Sequence, residues 1–194
     1  MGKVRLDAAI RRLPAHISVH VSYRPFMIDS RTAAGGESYL EYNKRRWGSD
    51  AWTRSLRAAG AQEGAPFAHW TTWPNTFHAS RTLLHAARHG RDAEFKHECF
   101  RMCYEEGENL SLRETVAAAA ERAAVPGGAA YAMSDEGAEE TIEVLHGVCS
   151  DTGERVRSVP FYSIQKGAYS FSGAQDTKRW LAILEHFAEV SGEE

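Results

Sequence analysis

The chain has 194 residues, of which 43% are hydrophobic, enough for one substantial core or for a core with an inserted subdomain. Its 23 basic and 26 acidic residues give a formal net charge of −3 with no long run of either sign, which argues against nucleic acid or a membrane surface as the partner. The lack of a long apolar stretch or a signal peptide, together with only three cysteines, predicts a soluble protein of the reducing cytoplasm.

The first element in the chain is predicted to be a helix. Its apolar residues Leu6, Ala9, Ile10 and Leu13 recur at helical spacing, and Pro14 ends the pattern. No Ser, Thr, Asp or Asn precedes this helix to cap its free amide groups, and basic residues lie at the positive end of its dipole. Because such a start is unfavourable, we expect that a segment is absent before it. Either this sequence is a shortened gene model or isoform of a longer protein, or the protein is a truncated paralogue.

The second element is predicted to be a strand. Residues 17–23 alternate apolar and polar side chains, which is the period-2 pattern of a half-buried strand, and Arg24-Pro25 ends it. Residues 29–36 are polar and rich in glycine and predict a loop. After this loop the apolar period becomes helical.

Helices are predicted for most of the chain up to residue 154. The first two are expected to bury one apolar face each, namely Leu40, Asn43 and Trp47, then Trp52, Leu56 and Ala59. Further helices are predicted to begin at Asn75 or Thr76, at Asp92, at a capping box of Ser111 and Glu114, and at Ser134. Val125–Ala130 contains Pro-Gly-Gly and predicts a linker, and the chain is expected to return to a strand at Val156.

The stretch from Ser158 to Gln175 predicts a β-hairpin that leads into the last helix. Strand-forming residues precede and follow a turn at Gln165–Gly167. Pro160 is unusual in the first of these strands because proline cannot donate to a ladder. It indicates an edge, a bulge or a cis peptide bond.

The three cysteines offer little redox chemistry by themselves. Cys99 and Cys103 are four residues apart on one predicted helix, which puts their Cβ atoms about 5 to 6 Å apart, too far for an unstrained disulfide. We expect both to be buried as small hydrophobic side chains. Cys149 follows a predicted helix C-terminus, where the dipole disfavours a thiolate.

Two other groups of side chains have a functional and a structural interpretation. His85 and His89, with His78, could hold a metal ion on one helix face, but no cysteine or carboxylate completes the set, so solvated histidines are favoured. Asp29 and a set of aromatic residues could line a groove for an extended peptide or a small aromatic substrate, although core filling is the commoner role of aromatics. The aromatic set is Trp70, Trp73, Phe77, Tyr162 and Trp180.

The predicted hairpin resembles the C-terminal half of the DsbA-like thioredoxin-fold family in two runs, Val-Pro-Phe-Tyr-Ser-Ile at 159–164 and Tyr-Ser-Phe-Ser-Gly-Ala-Gln at 169–175. The similarity is to the cytoplasmic branch of FrnE-like and 2-hydroxychromene-2-carboxylate isomerase-like proteins. Val19–Phe26 resembles the family's second strand with its Arg-Pro-Phe exit. Trp73–Thr76 with Arg81 resembles its Pro-Asn-Thr helix start, and Phe100–Gly107 resembles the helix end that follows. The resemblance therefore extends over nearly the whole chain.

The resemblance implies an α/β, thioredoxin-like fold that is N-terminally incomplete and carries a large all-helical insertion. Residues 1–28 and 155–194 would form a discontinuous thioredoxin-like domain, and residues 29–154 would form the helical insertion. In the family a first strand ends in Cys-x-x-Cys, or in a serine version in the glutathione-dependent isomerases, shortly before a Gly-Lys that matches Gly2-Lys3. This sequence begins just after that place, so the resemblance assigns it no catalytic residue.

The resemblance assigns substrate binding to Val159 and Pro160. Pro160 matches the family's cis-proline, which faces the active-site cysteines and leaves the backbone of the preceding residue free to pair with a bound substrate strand. The absent first strand of the family would lie between Val19–Tyr23 and Val159–Ile164, so its loss would leave both neighbours unpaired.

Three functions stay open at this stage. The first is a DsbA-like thiol-disulfide oxidoreductase whose Cys-x-x-Cys lies outside this sequence and whose substrate is a protein, peptide or small molecule with a thiol or disulfide. The second is a glutathione-dependent isomerase of the same fold, and the third is a non-catalytic module that binds a partner strand at Val159-Pro160. Apart from glutathione in the second case no cofactor or metal is predicted, a homo-oligomer is left open, and the chain alone is expected to be inactive.

Overall fold

A computed structural model describes residues 1–191 as nine α-helices and four short strands. The helices are α1 (Gly2–Ile10), α2 (Tyr39–Trp47), α3 (Ala51–Gln62), α4 (Phe77–Arg88), α5 (Asp92–Tyr104), α6 (Arg113–Arg122), α7 (Gly128–Met133), α8 (Ala138–His146) and α9 (Thr177–Ser191). The strands are β1 (Glu37–Ser38), β2 (Thr72–Trp73), β3 (Phe161–Ile164) and β4 (Tyr169–Ser172). None of these helices is long and apolar enough to cross a membrane.

The strands pair in two small antiparallel sheets. β3 pairs with β4 in a register that runs from Phe161 opposite Ser172 to Ile164 opposite Tyr169. A tight turn at Gln165–Gly167 joins the two strands, so the predicted hairpin is confirmed. β1 pairs with β2, a pairing that the sequence pattern did not indicate.

The predicted strand at residues 17–23 is wrong. No residue of this segment pairs with a strand in the part of the chain that the structure describes. Its side chains nevertheless alternate as the sequence indicated: Ile17, Val19, Val21 and Tyr23 are half-buried, and Ser18, His20 and Ser22 are exposed. The alternation reports which face touches the core, whereas a strand also needs a neighbour for its backbone groups.

Apolar side chains form two separate clusters. The smaller cluster draws its residues from both ends of the chain: its buried members are Leu6, Ala9, Trp180 and Leu184, surrounded by side chains of segment 17–23 and of the hairpin. The larger cluster has all its buried members between residues 39 and 132. Within the described residues of the terminal segments, Met1 and Tyr23 are the ones that pack against the larger cluster.

This distribution is the one that the predicted division into two domains would produce. Residues 1–28 and 155–194 were assigned to one domain and residues 29–154 to the other. Residues 192–194 lie outside the described part of the chain. The division as such remains a prediction about independent folding units.

The faces that the first two insertion helices bury agree only in part with the prediction, since Asn43 is buried and Leu56 packs against the larger cluster. In α2, Tyr39 and Tyr42 are buried, whereas Leu40 is 48% and Trp47 is 53% exposed. In α3, Trp52 is 41% exposed. Tyr42 is buried because its ring stacks on the indole of Trp73 in β2, with ring centroids 3.8 Å apart.

The predicted capping box at Ser111 and Glu114 is wrong. Leu112 holds the N-cap position of α6, and no side chain caps the helix. The Ser111 hydroxyl instead accepts a hydrogen bond of 2.8 Å from the backbone N–H of Asn75. The Ser111 hydroxyl therefore makes a tertiary hydrogen bond and not the helix-capping bond that the local pattern predicted.

Two predictions about the end of the insertion also fail. Val125–Ala130 is not an open linker, because α7 begins at Gly128 and continues to Met133. At Val156 there is no strand, only an isolated bridge between Cys149 and Arg155. The chain therefore enters the hairpin from irregular structure.

A fully buried arginine links α4 to α7. The guanidinium of Arg81, 0% exposed, donates to the carbonyl oxygens of Tyr131 at 2.9 Å, Ala132 at 2.8 Å and Glu136 at 2.6 Å. The Cζ atom of this guanidinium lies 5.0 Å from the Tyr131 ring centroid, in cation–π geometry. Burial lowers the pKa of Arg81 from its ordinary value. The carbonyls of Tyr131 and Ala132 in the last turn of α7, and that of Glu136 beyond the helix, supply the compensating negative potential.

Candidate functional site

The N-terminus of α1 lies against the first residues of the hairpin. A Cβ atom placed on Gly2 would collide with the Tyr162 hydroxyl, and would lie 3.4 Å from Cγ of Pro160 and 3.6 Å from Cβ of Ala174. A glycine at this position lets the helix end approach the hairpin this closely. The helix terminus, Pro160 and the segment after β4 therefore form one site.

The amide groups at this helix end lack a side-chain acceptor. Met1 holds the N-cap position without a side-chain hydrogen bond, and the first turn contains no acidic residue. Burial, and then the charge of Arg5, lower the pKa of the Met1 ammonium group. Free amide donors and the positive end of the dipole make the site favourable for an anion, such as a thiolate.

The backbone of Val159 is free at the edge of this site. The Val159-Pro160 peptide bond is cis, and the Val159 side chain is 40% exposed. The carbonyl of Pro160 accepts a 2.8 Å hydrogen bond from Gly173. Within residues 1–191 neither the N–H nor the carbonyl of Val159 has a hydrogen-bond partner, so both can pair with an incoming extended chain.

A neutral phenol completes the inner wall of the site. Burial raises the pKa of Tyr162, so its hydroxyl keeps its proton beside the end of α1. The Tyr162 ring packs edge to face on Trp180, with centroids 4.6 Å apart. This packing anchors the hairpin on α9 at the level of the site.

An ion pair fixes α1 relative to the insertion. Arg5 donates to both carboxylate oxygens of Glu63, each at 2.6 Å, and the backbone carbonyl of Arg5 accepts from the Thr177 hydroxyl at 3.5 Å. The Arg5 hydrogen bonds hold the pKa of the Glu63 carboxyl below its ordinary value. The orientation of α1, and with it the anion-favouring end, therefore depends on this pair.

Replacing Glu63 by glutamine is expected to reduce the free energy of unfolding by about 1 kcal/mol at neutral pH, because the pair is only partly shielded from water. The folded pKa of Glu63 is depressed, so its stabilisation is complete above the unfolded value of about 4.3 and is lost as the pH falls through the lower folded value. Urea unfolding of both proteins from about pH 7 down to about pH 3 should show the difference shrinking at the acid end. Glu121→Gln, at an exposed position of α6, is the control, and a difference for Glu63→Gln that does not change with pH would contradict the expectation.

None of the three cysteines belongs to this site. Cys99 and Cys103 are buried in α5 as free thiols and are members of the larger cluster. Burial raises the pKa of each thiol to about 12. Cys149 is free and half-buried beside the bridge to Arg155. The expectation that Cys99 and Cys103 act as buried apolar side chains is confirmed.

Alkylation of the folded chain by iodoacetamide at about pH 8 is expected to modify Cys149 first. Cys99 and Cys103 should react only after unfolding, because their raised pKa values leave almost no thiolate. Mass analysis of tryptic peptides at increasing reaction times measures the order. Equal labelling rates in the native chain and in the urea-unfolded chain would contradict it.

The histidines considered for a metal site have other neighbours. His85 stacks on Tyr131 with ring centroids 4.2 Å apart, and its Nε2 lies 2.8 Å from the carbonyl oxygen of Pro126. The rings of His85 and His89 are 4.7 Å apart. The pKa of His78 is lowered by burial. Residues 1–191 contain no group of three or more His, Cys, Asp or Glu side chains that could hold a metal ion.

The proposed aromatic groove is not assembled. Trp70 and Trp73 stack within or against the larger cluster, whereas Tyr162 and Trp180 belong to the smaller one. Asp29 is buried, and its carboxylate accepts hydrogen bonds from the backbone N–H and the guanidinium of Arg31. The set predicted as one groove thus contributes to two cores, which was the structural alternative.

The sequence indicated Val159 and Pro160 but missed their neighbours. The approach of Gly2 and the pairing of Arg5 with Glu63 are contacts between segments far apart in the chain. The only sequence signal was the uncapped, basic start of α1. It pointed to an anion-favouring helix end without showing what lies opposite.

Comparisons with known proteins bear on the family and the fold of the chain. A family model described as a DSBA-like thioredoxin domain matches residues 1–184. A search of curated proteins found none that matches this chain. Among solved structures, a probable DsbA oxidoreductase from Streptomyces coelicolor is similar with a TM-score of 0.80 and 22% sequence identity, over 95% of this chain and 82% of that one. At that identity the likeness shows the fold alone, and it confirms the α/β, thioredoxin-like class with a helical insertion.

Proposed function

Because this chain belongs to the DsbA-like thioredoxin family, we propose that it takes part in thiol-disulfide exchange and docks its substrate at Val159 and Pro160. The observation that carries the proposal is the free backbone of Val159 beside the uncapped end of α1. The Val159 backbone can pair with an extended substrate, and the uncapped end of α1 favours a thiolate. The finer placement in the FrnE-like branch is part of the same proposal.

The proposed chemistry is a two-step exchange between dithiol and disulfide. A thiolate at the end of α1 attacks one sulfur of the substrate disulfide, the S–S bond breaks, and the other sulfur leaves as a thiolate. A second thiolate of the dithiol then attacks the mixed disulfide, so the substrate gains two electrons and the dithiol becomes a disulfide. The reverse sequence oxidises a substrate dithiol.

The reacting dithiol is not formed by the cysteines of this sequence. Cys99 and Cys103 are buried with raised pKa values, and Cys149 lies outside the site. We therefore propose that a Cys-x-x-Cys pair at the end of α1 supplies the dithiol, from residues that are not part of this sequence. The part played by residues 1–194 is docking and orientation.

Two alternatives use the same site. A glutathione-dependent isomerase would bind glutathione there without reducing disulfides. A non-catalytic module would bind a partner strand with no redox step, and the free Val159 backbone supports docking in that case too. Measuring the intact mass and the N-terminal peptide of the protein from its own cells separates the three functions, because any residues preceding α1 then show Cys-x-x-Cys, its serine variant or neither.

Docking can be tested on the chain as given. A peptide with one internal disulfide and an extended flank is expected to shift the amide NMR signals of Val159, Phe161 and Gly2. N-methylation of the peptide residue that pairs with Val159 should weaken binding about tenfold, because one or two backbone hydrogen bonds are lost. Since neighbouring residues on a strand point their amides in opposite directions, N-methylation one position along is the matched control.

The two peptides give a clear decision. Weaker binding of only the first N-methyl peptide supports strand docking at Val159. Equal binding of the two N-methylated peptides, or amide NMR shifts confined to other parts of the chain, would contradict docking at Val159.

A further inference from the structure

Exposed apolar side chains are concentrated on α2 and at the start of α3. Leu40 is 48%, Trp47 is 53% and Trp52 is 41% exposed, and together these three side chains are called the Trp47 surface. They are three of the nine large hydrophobic side chains that are exposed within residues 1–191. Tryptophan is buried on average and is enriched where proteins bind each other. The Trp47 surface is therefore a candidate interface.

Helical spacing puts the residues of α2 that belong to this surface on one flank. Leu40, Lys44 and Trp47 follow each other at intervals of four and three residues, so their side chains lie along one line of the helix. Tyr39 and Tyr42 are buried and point to the core, and α2 packs on β1 and β2. The flank formed by Leu40, Lys44 and Trp47 is left open to water within residues 1–191.

The charge in the middle of this flank is already neutralised. The Nζ atom of Lys44 lies 3.6 Å from a carboxylate oxygen of Asp50, the residue before α3. Gly48 ends α2 in the left-handed conformation, with φ of 74°, which turns the chain tightly into α3. The ion pair and the turn hold the start of α3 beside the end of α2, so Trp52 extends the apolar surface there.

Two further charges of α2 have bonding capacity to spare. Glu41 is exposed and has no cationic partner within residues 1–191. Arg45, one turn later on the same side of the helix, uses only Nη2 to donate to both carboxylate oxygens of Glu37, each at 2.8 Å. Its Nε and Nη1 have no acceptor within the same residues. The acid lies towards the N-terminus of α2, and the available guanidinium edge lies towards the C-terminus.

We propose that the Trp47 surface binds a second copy of this chain, with the two α2 helices antiparallel about a two-fold axis near Asn43 and Lys44. Leu40 of each copy then meets Trp47 of the other, and Glu41 of each copy accepts from the Arg45 guanidinium of the other. The axis makes each contact twice. A foreign helix would need the same reversed order of apolar and charged groups, which a second copy has by symmetry.

The dimer is expected to be weak. With nine residues, α2 is about 13 Å long, so the buried area falls in the class below about 1,200 Å² that is typical of transient complexes. A Kd of about 10 to 100 μM follows for a contact of this size. The dimer involves no residue of the docking site at Val159 and Pro160, so it does not depend on the proposed redox function.

The first experiment measures sedimentation equilibrium of the full chain up to about 500 μM, together with amide NMR at rising concentration. A monomer–dimer equilibrium is expected, with the largest shifts in α2. Trp47→Glu should raise the Kd at least about tenfold. Val190→Glu, at a side chain of α9 that is 47% exposed, should leave the Kd unchanged. Circular dichroism checks that both variants are folded. Absence of a dimer, or a dimer that Trp47→Glu does not weaken, would overturn the proposal.

A charge reversal tests the antiparallel arrangement. Glu41→Arg alone should weaken the dimer about fivefold, because it places two cations opposite each other. Adding Arg45→Glu to the same chain restores opposite charges across the axis and should return the Kd to within about twofold of the original value. A double variant that stays as weak as Glu41→Arg would show that these residues do not face each other, and the proposed arrangement would be wrong.

Discussion

Replacing Arg81 by methionine is expected to lower the free energy of unfolding by about 3 to 5 kcal/mol. The methionine chain fills most of the volume but removes the guanidinium that donates to the carbonyls of Ala132 and Glu136. The carbonyl of Tyr131 loses one donor and keeps the Ser134 hydroxyl. The contact between α4 and α7 should weaken first. Urea unfolding followed by circular dichroism measures the loss.

Arg88→Met is the matched control, because Arg88 is also in α4. Its side chain is 51% exposed and pairs with Glu140 at the surface, so its loss should cost no more than about 1 kcal/mol. If the two substitutions had similar effects, the buried role assigned to Arg81 would be wrong. Amide exchange should separate them further, since only Arg81→Met is expected to speed exchange in α7.

Replacing Trp180 by alanine is expected to cost about 3 to 5 kcal/mol. Trp180 is 2% exposed and packs on Tyr162 and Phe171 with centroid distances of 4.6 Å and 5.4 Å. The smaller cluster has few buried members, so its neighbours cannot fill the space. The hairpin should detach from α9, with faster amide exchange in β3 and β4.

Two comparison variants sharpen this test. Trp52→Ala removes an indole that is 41% exposed and should cost about 1 kcal/mol or less. Trp180→Phe should cost less than half as much as the alanine change, because the indole N–H has no partner within the described residues and no hydrogen bond is lost. A cost of Trp180→Ala equal to that of Trp52→Ala would show that the smaller cluster does not hold the hairpin.

Local patterns predicted the elements whose determinants are local. The turn at Gln165–Gly167 and the strand formers around it specified the hairpin, and α5 buries Cys99 and Cys103 as predicted. Local patterns gave wrong predictions where the structure of a segment depends on a partner that is distant in the sequence. Segment 17–23 has the side-chain period of a strand without a neighbour, and the hydroxyl of Ser111 bonds to Asn75 instead of capping α6.

The candidate site was predicted in part for the same reason. The unusual Pro160 was visible in the sequence, and its meaning came from the family resemblance. The opposing Gly2 and the ion pair between Arg5 and Glu63 join remote segments, so no periodicity could reveal them. The resemblance included Arg81, but its burial was not predicted, because arginine at a helical position normally indicates an exposed face.

The smaller cluster also has a consequence for the order of folding. It is closed by contacts such as that between Thr177 and Arg5, which are 172 positions apart, whereas the larger cluster is complete by residue 132. Contacts of long sequence separation form late, because a large loop must close before they are gained. During synthesis the insertion can therefore acquire its structure while the ribosome still holds α9, and the docking site is assembled last. Pulse-labelled hydrogen exchange on refolding chains should show protection of α5 and α6 before that of β3.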